Sequence, residues 1–259
     1  MDLGLKGKLA IVTASSQGLG RACAEALAAE GATVAINGRD AAKLEGVAKE
    51  ISAATGAEII PIAADVTTPE GRAAVLGAFE APDVLVTNNR GPKPGSLEEV
   101  SEEDIAEALQ LHYWTPLLLV KAVIPGMRQR RFGRIVNITS AMVASPRAMM
   151  VPSTGARTGM TAVMKAMSKE LAPYNVLINQ ILPERIDSGR QQQVARWEAE
   201  KYGISYEEAR QRQADSIAMK RHGRPEEVGA ACAFLCAGNY GFITGANLRL
   251  DGGSYDGLL

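Results

Sequence analysis

Short apolar runs alternate with longer amphipathic stretches along the whole chain, and this alternation constrains the fold more than any other feature. The apolar runs read KLAIVTA, TVAING, AEIIPIAAD, PDVLVTNN, GRIVNITS, NVLINQILP and NLRLDGG. Continuous apolar runs are typical of strands that are buried on both faces of a parallel sheet. The repeated strand–helix–strand pattern therefore predicts an α/β fold with a doubly wound, mostly parallel sheet of seven strands and helices on both faces.

The stretches between the apolar runs predict the helices and the domain organisation. The stretch GLGRACAEALAAEGA repeats Ala and Leu at helical spacing, residues 41–55 are rich in Ala, Lys and Glu, and further helices are predicted over residues 69–81 and 155–172. No segment rich in Pro, Gly and Ser divides the chain, so residues 1–259 are predicted to form a single domain.

Residues 189–221 differ from the rest because they are highly charged and read as two helices around Gly203. They follow the end of a strand, where open α/β sheets bind their ligands. Loops at that edge of a sheet commonly carry function, so we predict a helical lid over the substrate. The alternative is a solvated helical excursion with no role at the site.

Composition limits the partners and the location of the protein. Charged residues make up 22% of the chain and the formal net charge is −1, which favours neither nucleic acid nor a membrane as a partner. The N-terminal MDLGLKGKLAIV has no basic region followed by a long apolar one, and we expect a cytoplasmic protein. Cys23, Cys232 and Cys236, with only two histidines in the chain, lack metal-site spacing, so we expect core cysteines and no metal.

A glycine-containing turn, TASSQGLG, follows the first apolar run and opens the first predicted helix. In that context the turn predicts a dinucleotide-binding site. Gly18 and Gly20 would let the backbone approach a pyrophosphate, and the helix N-terminus would supply free N–H groups and a partial positive charge. The residues predicted to contact the cofactor here are Thr13, Ser15, Ser16, Gln17, Gly18, Leu19 and Gly20.

The end of the second apolar run distinguishes between NAD and NADP. An acidic residue at this point binds the ribose 2′-hydroxyl of NAD, whereas a basic residue attracts the 2′-phosphate of NADP. The chain has Arg39 here, and neither Asn37 nor Gly38 is acidic. Asp40 is expected to cap the following helix. The sequence therefore favours NADP over NAD.

These motifs and others resemble those of the short-chain dehydrogenase/reductase family over nearly the whole chain. The family's T-G-x-x-x-G-x-G matches TASSQGLG, with Ala14 in place of the first glycine. Its Asn-Asn-Ala-Gly matches NNRG, its Pro-Gly matches Pro183–Glu184, and GRPEEVGAACAFL and FITGANLRLDGG are also typical of it. The resemblance implies a single Rossmann domain that binds a nicotinamide dinucleotide.

The resemblance also assigns cofactor contacts beyond the glycine turn. The Asp65 carboxylate would accept a hydrogen bond from the adenine amino group, and Ile186 and Ser188 would hold the nicotinamide carboxamide. Arg157 would also hold the nicotinamide ribose. The cofactor residues implied in this way are Asp65, Val66, Asn88, Asn89, Arg90, Gly91, Arg157, Pro183, Ile186 and Ser188.

The catalytic residues of the family are a serine, a tyrosine and a lysine, supported by an asparagine. Ser140 matches the serine, but Ser153 stands at the tyrosine position and Arg157 at the lysine position. His112 stands at the asparagine position. The chain resembles a 3-oxoacyl-reductase-like branch of the family in which Ser-x-x-x-Arg replaces Tyr-x-x-x-Lys. The implied catalytic residues are Ser140, Ser153, Arg157 and His112.

The replacements change the available chemistry. A serine hydroxyl can hydrogen-bond a carbonyl but is a much poorer acid than a phenol, and Arg157 can stabilise a developing alkoxide by its charge. His112 would titrate near neutral pH and could relay a proton while Ser140 and Ser153 position the oxygen. Two alternatives remain open: a hydrogen-bonded His112 packed between helices, and a Ser153 that only caps a helix.

The sequence thus predicts an NAD(P)-dependent oxidoreductase that interconverts a carbonyl and an alcohol of a small molecule, with a non-standard proton donor. Two alternatives use the same scaffold: a non-redox lyase or isomerase, and a nucleotide-binding protein without catalysis. Family members commonly form tetramers through the helices that carry His112 and Ser153, so the resemblance implies a homotetramer.

Overall fold

The computed structural model describes residues 2–258, and seven parallel strands form its centre. The strands are β1 (Leu9–Val12), β2 (Thr33–Gly38), β3 (Ile59–Ala63), β4 (Val84–Thr87), β5 (Gly133–Ile138), β6 (Val176–Pro183) and β7 (Asn247–Leu250). Their order in the sheet is β3-β2-β1-β4-β5-β6-β7, and every pairing is parallel. The predicted doubly wound α/β fold is confirmed, and the sheet is parallel throughout rather than mostly parallel.

Nine α-helices cover the sheet in the described residues. They are α1 (Gly18–Ala29), α2 (Ala41–Thr55), α3 (Pro69–Leu76), α4 (Glu102–Leu109), α5 (Thr115–Arg130), α6 (Val151–Leu171), α7 (Gly189–Tyr202), α8 (Tyr206–Asp215) and α9 (Pro225–Cys236). A π-helical turn, Gln110–Trp114, joins α4 to α5 without a break. The predicted bounds of α2 are confirmed.

Two predicted helix boundaries are wrong, and one predicted helix pair is confirmed. Helix α3 ends at Leu76 rather than at residue 81, and Gly77 follows as its C-cap. Helix α6 begins at Val151 rather than at residue 155, because a proline is tolerated in the first turn of a helix. The charged segment does form two helices, α7 and α8, separated at Gly203 in the left-handed conformation.

Alternate residues of each strand supply two apolar layers, one on each face of the sheet. Val12 packs in the layer that includes Leu27 and Leu44, whereas its neighbour Ile11 packs in the layer that includes Val123. Because successive side chains of a strand point to opposite faces, a continuous apolar run buries both faces. This explains why the strands carry few polar residues.

The loops that follow β1 and β4 meet at the carboxyl edge of the sheet. Strand β1 lies between β2 and β4, so the direction of winding reverses at this point. The Thr13 hydroxyl donates to the Asn88 carbonyl at 2.7 Å and accepts from the Asn88 N–H at 2.9 Å. Ligands of open α/β sheets bind in the crevice at such a reversal.

The three cysteines lie in the core between α1 and α9. Cys23, Cys232 and Cys236 are buried free thiols, and contact with the other two, together with burial, raises the pKa of Cys232. Thiols of this kind are inert packing residues. Within residues 2–258 no group of three His, Cys, Asp or Glu side chains could hold a metal ion. No helix of the same residues is both long and apolar enough to cross a bilayer.

Candidate active site

A cavity of about 560 Å³ opens at the carboxyl edge of the sheet, between the β1–α1 turn and helix α7. Its volume is in the range of known cofactor and substrate sites. The predicted site residues that line it are Ser16, Gln17, Gly18, Leu19, Arg39, Asp65, Val66, Asn88, Asn89, Arg90, Gly91, Ser140, Ser153, Arg157, Pro183, Ile186 and Ser188. The predicted residues Thr13, Ser15, Gly20 and His112 lie outside its lining.

The N-terminus of α1 fits a diphosphate. Gln17 occupies the N-cap position, but its side chain makes no capping hydrogen bond, so the first-turn N–H groups have no side-chain acceptor. A Cβ added at Gly18 would meet only the Ser188 side chain, at 3.8 Å. Open space beside uncapped N–H groups is the arrangement that binds phosphate at helix N-termini.

Thr13, Ser15 and Gly20 lie outside the lining of the cavity and shape the turn, so their contact with a cofactor stays a prediction. The Ser15 hydroxyl is buried, donates to the Val12 carbonyl at 2.7 Å and accepts from the Asn37 N–H at 2.8 Å. The Thr13 hydroxyl is engaged with the loop after β4, as described above. A Cβ at Gly20 would lie 2.4 Å from the Ala14 carbonyl oxygen, so glycine is required there for close packing of the turn on the helix.

Asn37 supports the turn, a role that no sequence motif indicated. Its side-chain oxygen accepts from the Ala14 N–H at 3.2 Å, and its amide group donates to the Ile62 and Ala64 carbonyls. Ala14 itself has a φ of 47°, in the left-handed region that favours glycine. The replacement of the family's glycine by Ala14 therefore leaves backbone strain in the turn.

Arg39 and Asp65 lie at one end of the cavity, where the resemblance puts the adenosine. Arg39 is exposed and forms no ion pair within the described part of the chain. Asp65 accepts from the N–H and the hydroxyl of Thr67, and these bonds, together with the charges of Arg39 and Arg90, lower the pKa of Asp65. Asp40 caps α2 by accepting from a backbone N–H, as expected.

Arg157 and Ser153 lie together at the opposite end of the cavity, one helical turn apart on α6. The Arg157 Nε donates to the Ser153 Oγ at 3.1 Å, and its Nη1 donates to the Ile138 carbonyl at 3.1 Å. Ser153 is buried in the first turn of α6, and Met150 is the N-cap, so the alternative of Ser153 as a helix cap is wrong. Ser140 is also buried, and its Oγ accepts from the Met142 N–H at 3.3 Å.

His112 lies behind Arg157 rather than in the cavity. It is buried in the π-helical turn, and its Nε2 is 3.2 Å from the Arg157 Nη2. Burial, and then the charges of Arg157, Arg190 and Arg90, lower the pKa of His112 well below 6.5. Because a guanidinium can only donate, the Nε2 is the acceptor and the ring is neutral with its proton on Nδ1. The expectation that His112 titrates near neutrality is therefore wrong.

A charged network that no sequence motif indicated lies at the end of the cavity nearest α7. Glu184 is buried, and its Oε1 lies 2.9 Å from the Arg147 Nη2 and 3.4 Å from the Arg185 Nε. Arg185 also contacts Glu198 of α7 at 3.3 Å. The signal was the presence of Glu184 where the family has a glycine, since a buried carboxylate requires cations nearby.

Apolar side chains complete the same end of the cavity and were also missed. The loop after β5 and helix α7 contribute Met142, Met149, Met150, Val194, Trp197 and Tyr202. Methionine and aromatic side chains adapt to apolar ligands of irregular shape. The cavity therefore combines a polar cofactor end with a partly apolar end under α7.

Comparison with known proteins identifies the family. Residues 13–255 match the family described as Enoyl-(Acyl carrier protein) reductase. The chain is 30% identical to the 3-oxoacyl-[acyl-carrier-protein] reductase FabG of Aquifex aeolicus, over 98% of this chain and 100% of that protein. It is 31% identical to the NADPH-dependent reductase BacG of Bacillus subtilis, over 95% of this chain and 97% of that protein.

A solved structure agrees with these relatives. The L-sorbose reductase of Gluconobacter frateurii, crystallised with NADPH and L-sorbose, superposes with a TM-score of 0.93. It is 28% identical to this chain, and the match covers 100% of both chains. From the matched family, the relatives and the geometry of the cavity, the chain belongs to the short-chain dehydrogenase/reductase family of NAD(P)-dependent oxidoreductases.

Proposed function

We propose that this protein is an NADP-dependent oxidoreductase that interconverts a carbonyl and an alcohol of a small molecule with Ser153 and Arg157 in place of Tyr-x-x-x-Lys. The contact between the Arg157 Nε and the Ser153 Oγ carries the proposal, because it joins a cation to a hydroxyl at the end of the cavity opposite Arg39. This contact supports the proposal that the chain belongs to the branch of the family that lacks the tyrosine acid.

The residues at the cofactor end fit NADP. The uncapped N-terminus of α1 would hold the pyrophosphate, Asp65 and Val66 the adenine, and Arg39 the 2′-phosphate. Structural neighbours crystallised with NADPH or NADP favour the same cofactor. Ile186 and Ser188 would lie at the nicotinamide, and the bound cofactor would supply the hydride. Ser188 caps α7 with its oxygen, which leaves its hydroxyl hydrogen for the carboxamide.

Ser140 and Ser153 are arranged to donate hydrogen bonds into the cavity. Each oxygen accepts a bond from the protein, from the Met142 N–H for Ser140 and from the Arg157 Nε for Ser153. No protein acceptor for either hydroxyl hydrogen is present among residues 2–258. A carbonyl oxygen placed between them would therefore receive two hydrogen bonds that strengthen as negative charge develops.

Arg157 supplies the charge that stabilises the developing alkoxide. Burial, and then the charge of Arg190, lower the pKa of Arg157 to about 10, so the guanidinium remains protonated at neutral pH. A fixed cation beside Ser153 would favour transfer of the hydroxyl proton to the alkoxide, because it stabilises the Ser153 oxyanion that remains until a proton from water replaces the one transferred. His112 is a positioning residue in this scheme, since its Nε2 accepts from Arg157 and holds the guanidinium in place.

Reduction of a panel of aldehydes and ketones tests the proposal. NADPH absorbance should fall on addition of a substrate, and Ser140→Ala and Ser153→Ala should each lower kcat about 10-fold or more. Ser145→Ala is the matched control, because Ser145 is exposed and outside the cavity. NADPH binding without oxidation by any member of the panel would instead favour the non-redox or the non-catalytic alternative.

Helices α7 and α8, over residues 189–221, are proposed as a lid over the substrate. Val194, Trp197 and Tyr202 of α7 line the cavity, and Lys201 contacts Glu99 of the facing loop at 2.8 Å. This ion pair supports the proposal, because it would hold such a lid closed. Lys201→Ala should raise the KM of the substrate without changing the affinity for NADPH, which measurement of both constants would check.

The homotetramer and the cytoplasmic location stay predictions. The rod formed by α4, the π-helical turn and α5 exposes Ile105, Leu109 and Trp114, which supports association through this surface. Sedimentation of the wild type and of Trp114→Glu would test it, with a smaller assembly expected for the variant.

A further inference from the structure

Arg190 of α7 reaches the same end of the cavity as Arg157. Its Nη2 donates to the Pro92 carbonyl at 2.6 Å, and its guanidinium packs on Gly91, where an added Cβ would be 2.6 Å from the Nε. Arg190 is near enough to Arg157 and His112 for its charge to lower the pKa of both. Two cations, one from the catalytic helix and one from the proposed lid, therefore lie at one end of the cavity.

Neither of these two cations has an acidic partner within residues 2–258. Arg157 contacts a hydroxyl, a carbonyl and the His112 ring, and Arg190 contacts a carbonyl. The other arginines that line this end are paired: Arg147 and Arg185 with Glu184, and Arg90 with Glu107. The positive charge of Arg157 and Arg190 is therefore uncompensated, in contrast to that of their neighbours.

Uncompensated and partly buried guanidinium groups favour an anionic ligand. Removal of a cation from water is costly unless an opposite charge replaces the lost hydration. Burial lowers the pKa of Arg190 as it does that of Arg157, in agreement with the lack of a carboxylate beside either guanidinium in the described residues. A guanidinium presents a planar fork of N–H donors that matches a carboxylate in two parallel hydrogen bonds.

The surroundings indicate what the rest of the ligand is like. Val194 and Trp197, on the same helix as Arg190, and Met142 and Met149, in the loop after β5, also line the cavity, so a ligand with an anionic head would place an apolar portion against them. In the proposed function the anionic groups of the cofactor would have other partners, with the pyrophosphate at the N-terminus of α1 and the 2′-phosphate at Arg39. This favours the substrate as the source of the anion.

We propose that the substrate is an oxo acid with an apolar tail, in which Arg190 binds the carboxylate and Arg157 lies at the adjacent carbonyl oxygen. This inference rests on the proposed redox function and specifies the substrate class of the same site. It applies to 2-oxo and 3-oxo acids, since in both the carboxylate is close to the reacting carbonyl.

Matched acid and ester substrates test the role of the carboxylate. The probes are 4-methyl-2-oxopentanoate and 3-oxohexanoate, each compared with its methyl ester. For the wild type we expect kcat/KM to be about 30- to 100-fold higher with the acid, as for a charge-assisted hydrogen bond. Arg190→Gln should remove most of this preference, Arg190→Lys should keep part of it, and the rate with the esters should change little. Equal rates for acid and ester in the wild type would overturn the proposal.

Two controls are needed. One tests whether an effect of Arg190→Gln is specific to this arginine, and the other tests whether it acts on binding of the substrate or of the cofactor. Arg196→Gln removes an exposed arginine of the same helix that does not line the cavity, and it should behave as the wild type. The dissociation constant of NADPH should be the same for the wild type and Arg190→Gln. If Arg190→Gln weakens NADPH and slows acids and esters alike, the anion belongs to the cofactor and the proposal is wrong.

A binding measurement keeps the inference testable without turnover. In the presence of NADP⁺, calorimetry should show that 4-methylpentanoate binds the wild type more tightly than the neutral 4-methylpentanamide does. Arg190→Gln should abolish the difference. If the acid binds more tightly than the amide but the protein reduces no carbonyl, the redox function alone is contradicted. If the acid and the amide bind equally, the inference about the substrate is overturned.

Discussion

The Nη2 of Arg157 lies 3.2 Å from the Nε2 of His112, although these residues are 45 positions apart and belong to different helical segments. Both occupy positions where the family resemblance implies other residues, a lysine and an asparagine. The two replacements are in contact, and the guanidinium requires a neutral imidazole as its acceptor. The two positions at which the chain departs from the family motif are therefore in direct contact.

Replacement of His112 should change how stability depends on pH. The pKa of His112 is lowered in the folded protein, so below about pH 6.5 the unfolded chain binds a proton that the folded protein does not. Stability is therefore lost as pH falls through the unfolded pKa. Urea unfolding at about pH 7.5 and about pH 5.5 should show a larger loss of stability for the wild type than for His112→Gln, by at most about 1.4 kcal/mol. An equal loss in both proteins would contradict a neutral, buried His112.

Removal of the Arg157 charge should slow the reaction more than it weakens cofactor binding. Arg157→Met lacks the cation behind Ser153, and we expect kcat to fall about 100-fold or more. Arg157→Lys keeps the charge and should retain part of the activity. Steady-state kinetics and NADPH titration of the same preparations check this, and a kcat for Arg157→Met close to that of the wild type would exclude the role.

The pH profile of the wild type should have its alkaline limb where Arg157 loses its proton. With the pKa of Arg157 at about 10, activity should hold through pH 8 to 9, roughly, and fall above about pH 10. His112 is neutral over that range, so no limb near pH 6.5 should come from it. If the wild type shows a change of activity near neutral pH that is absent in His112→Gln, the proton relay through His112 would be supported instead.

Arg39 should discriminate between the two nicotinamide cofactors. Arg39→Ala removes the one residue at the end of β2 suited to a 2′-phosphate, so the Kd of NADPH should rise about 10-fold or more. The Kd of NADH should change little. Lys49→Ala is the control, since it removes an exposed cation of α2 outside the cavity. Equal weakening of both cofactors in Arg39→Ala would exclude contact with the 2′-phosphate.

Ala14→Gly should stabilise the fold by relieving the turn before α1. Ala14 adopts a φ of 47°, and a left-handed conformation costs an alanine about 1–2 kcal/mol. Glycine loses more backbone entropy on folding, so the net gain in the free energy of unfolding should be about 0.5–1 kcal/mol. Gly46→Ala is the reverse substitution at an unstrained position. Gly46 lies in the middle of α2, and an added Cβ there would have open space around it. A loss of stability in Ala14→Gly would show that the turn is not strained.

The fold could be predicted from the sequence because its strands are local apolar runs and its turns carry local signals. The two misplaced helix ends have local causes as well. Pro152 lies in the first turn of α6, where a proline is tolerated. The helix therefore begins before this proline, at Val151, and not after it. Asp40, by contrast, was identified as a cap from its position alone.

One end of the candidate site could be predicted from the sequence and the other could not. Its cofactor end depends on one turn and a few strand ends, which a motif describes. Its other end depends on contacts between residues far apart in the chain, such as Arg190 with Pro92 and Arg147 with Glu184. The protonation of His112 depends on burial next to Arg157, which no spacing indicates.

Calorimetric titration with NADPH, followed by addition of 4-methyl-2-oxopentanoate, tests the central claim most directly. We expect saturable binding of one NADPH per chain, lost affinity in a Gly18→Asp variant that puts a carboxylate at the N-terminus of α1, and oxidation of the bound NADPH by the oxo acid. If neither NADPH nor NADH binds to the folded protein, the assignment of the cavity to a nicotinamide dinucleotide is contradicted.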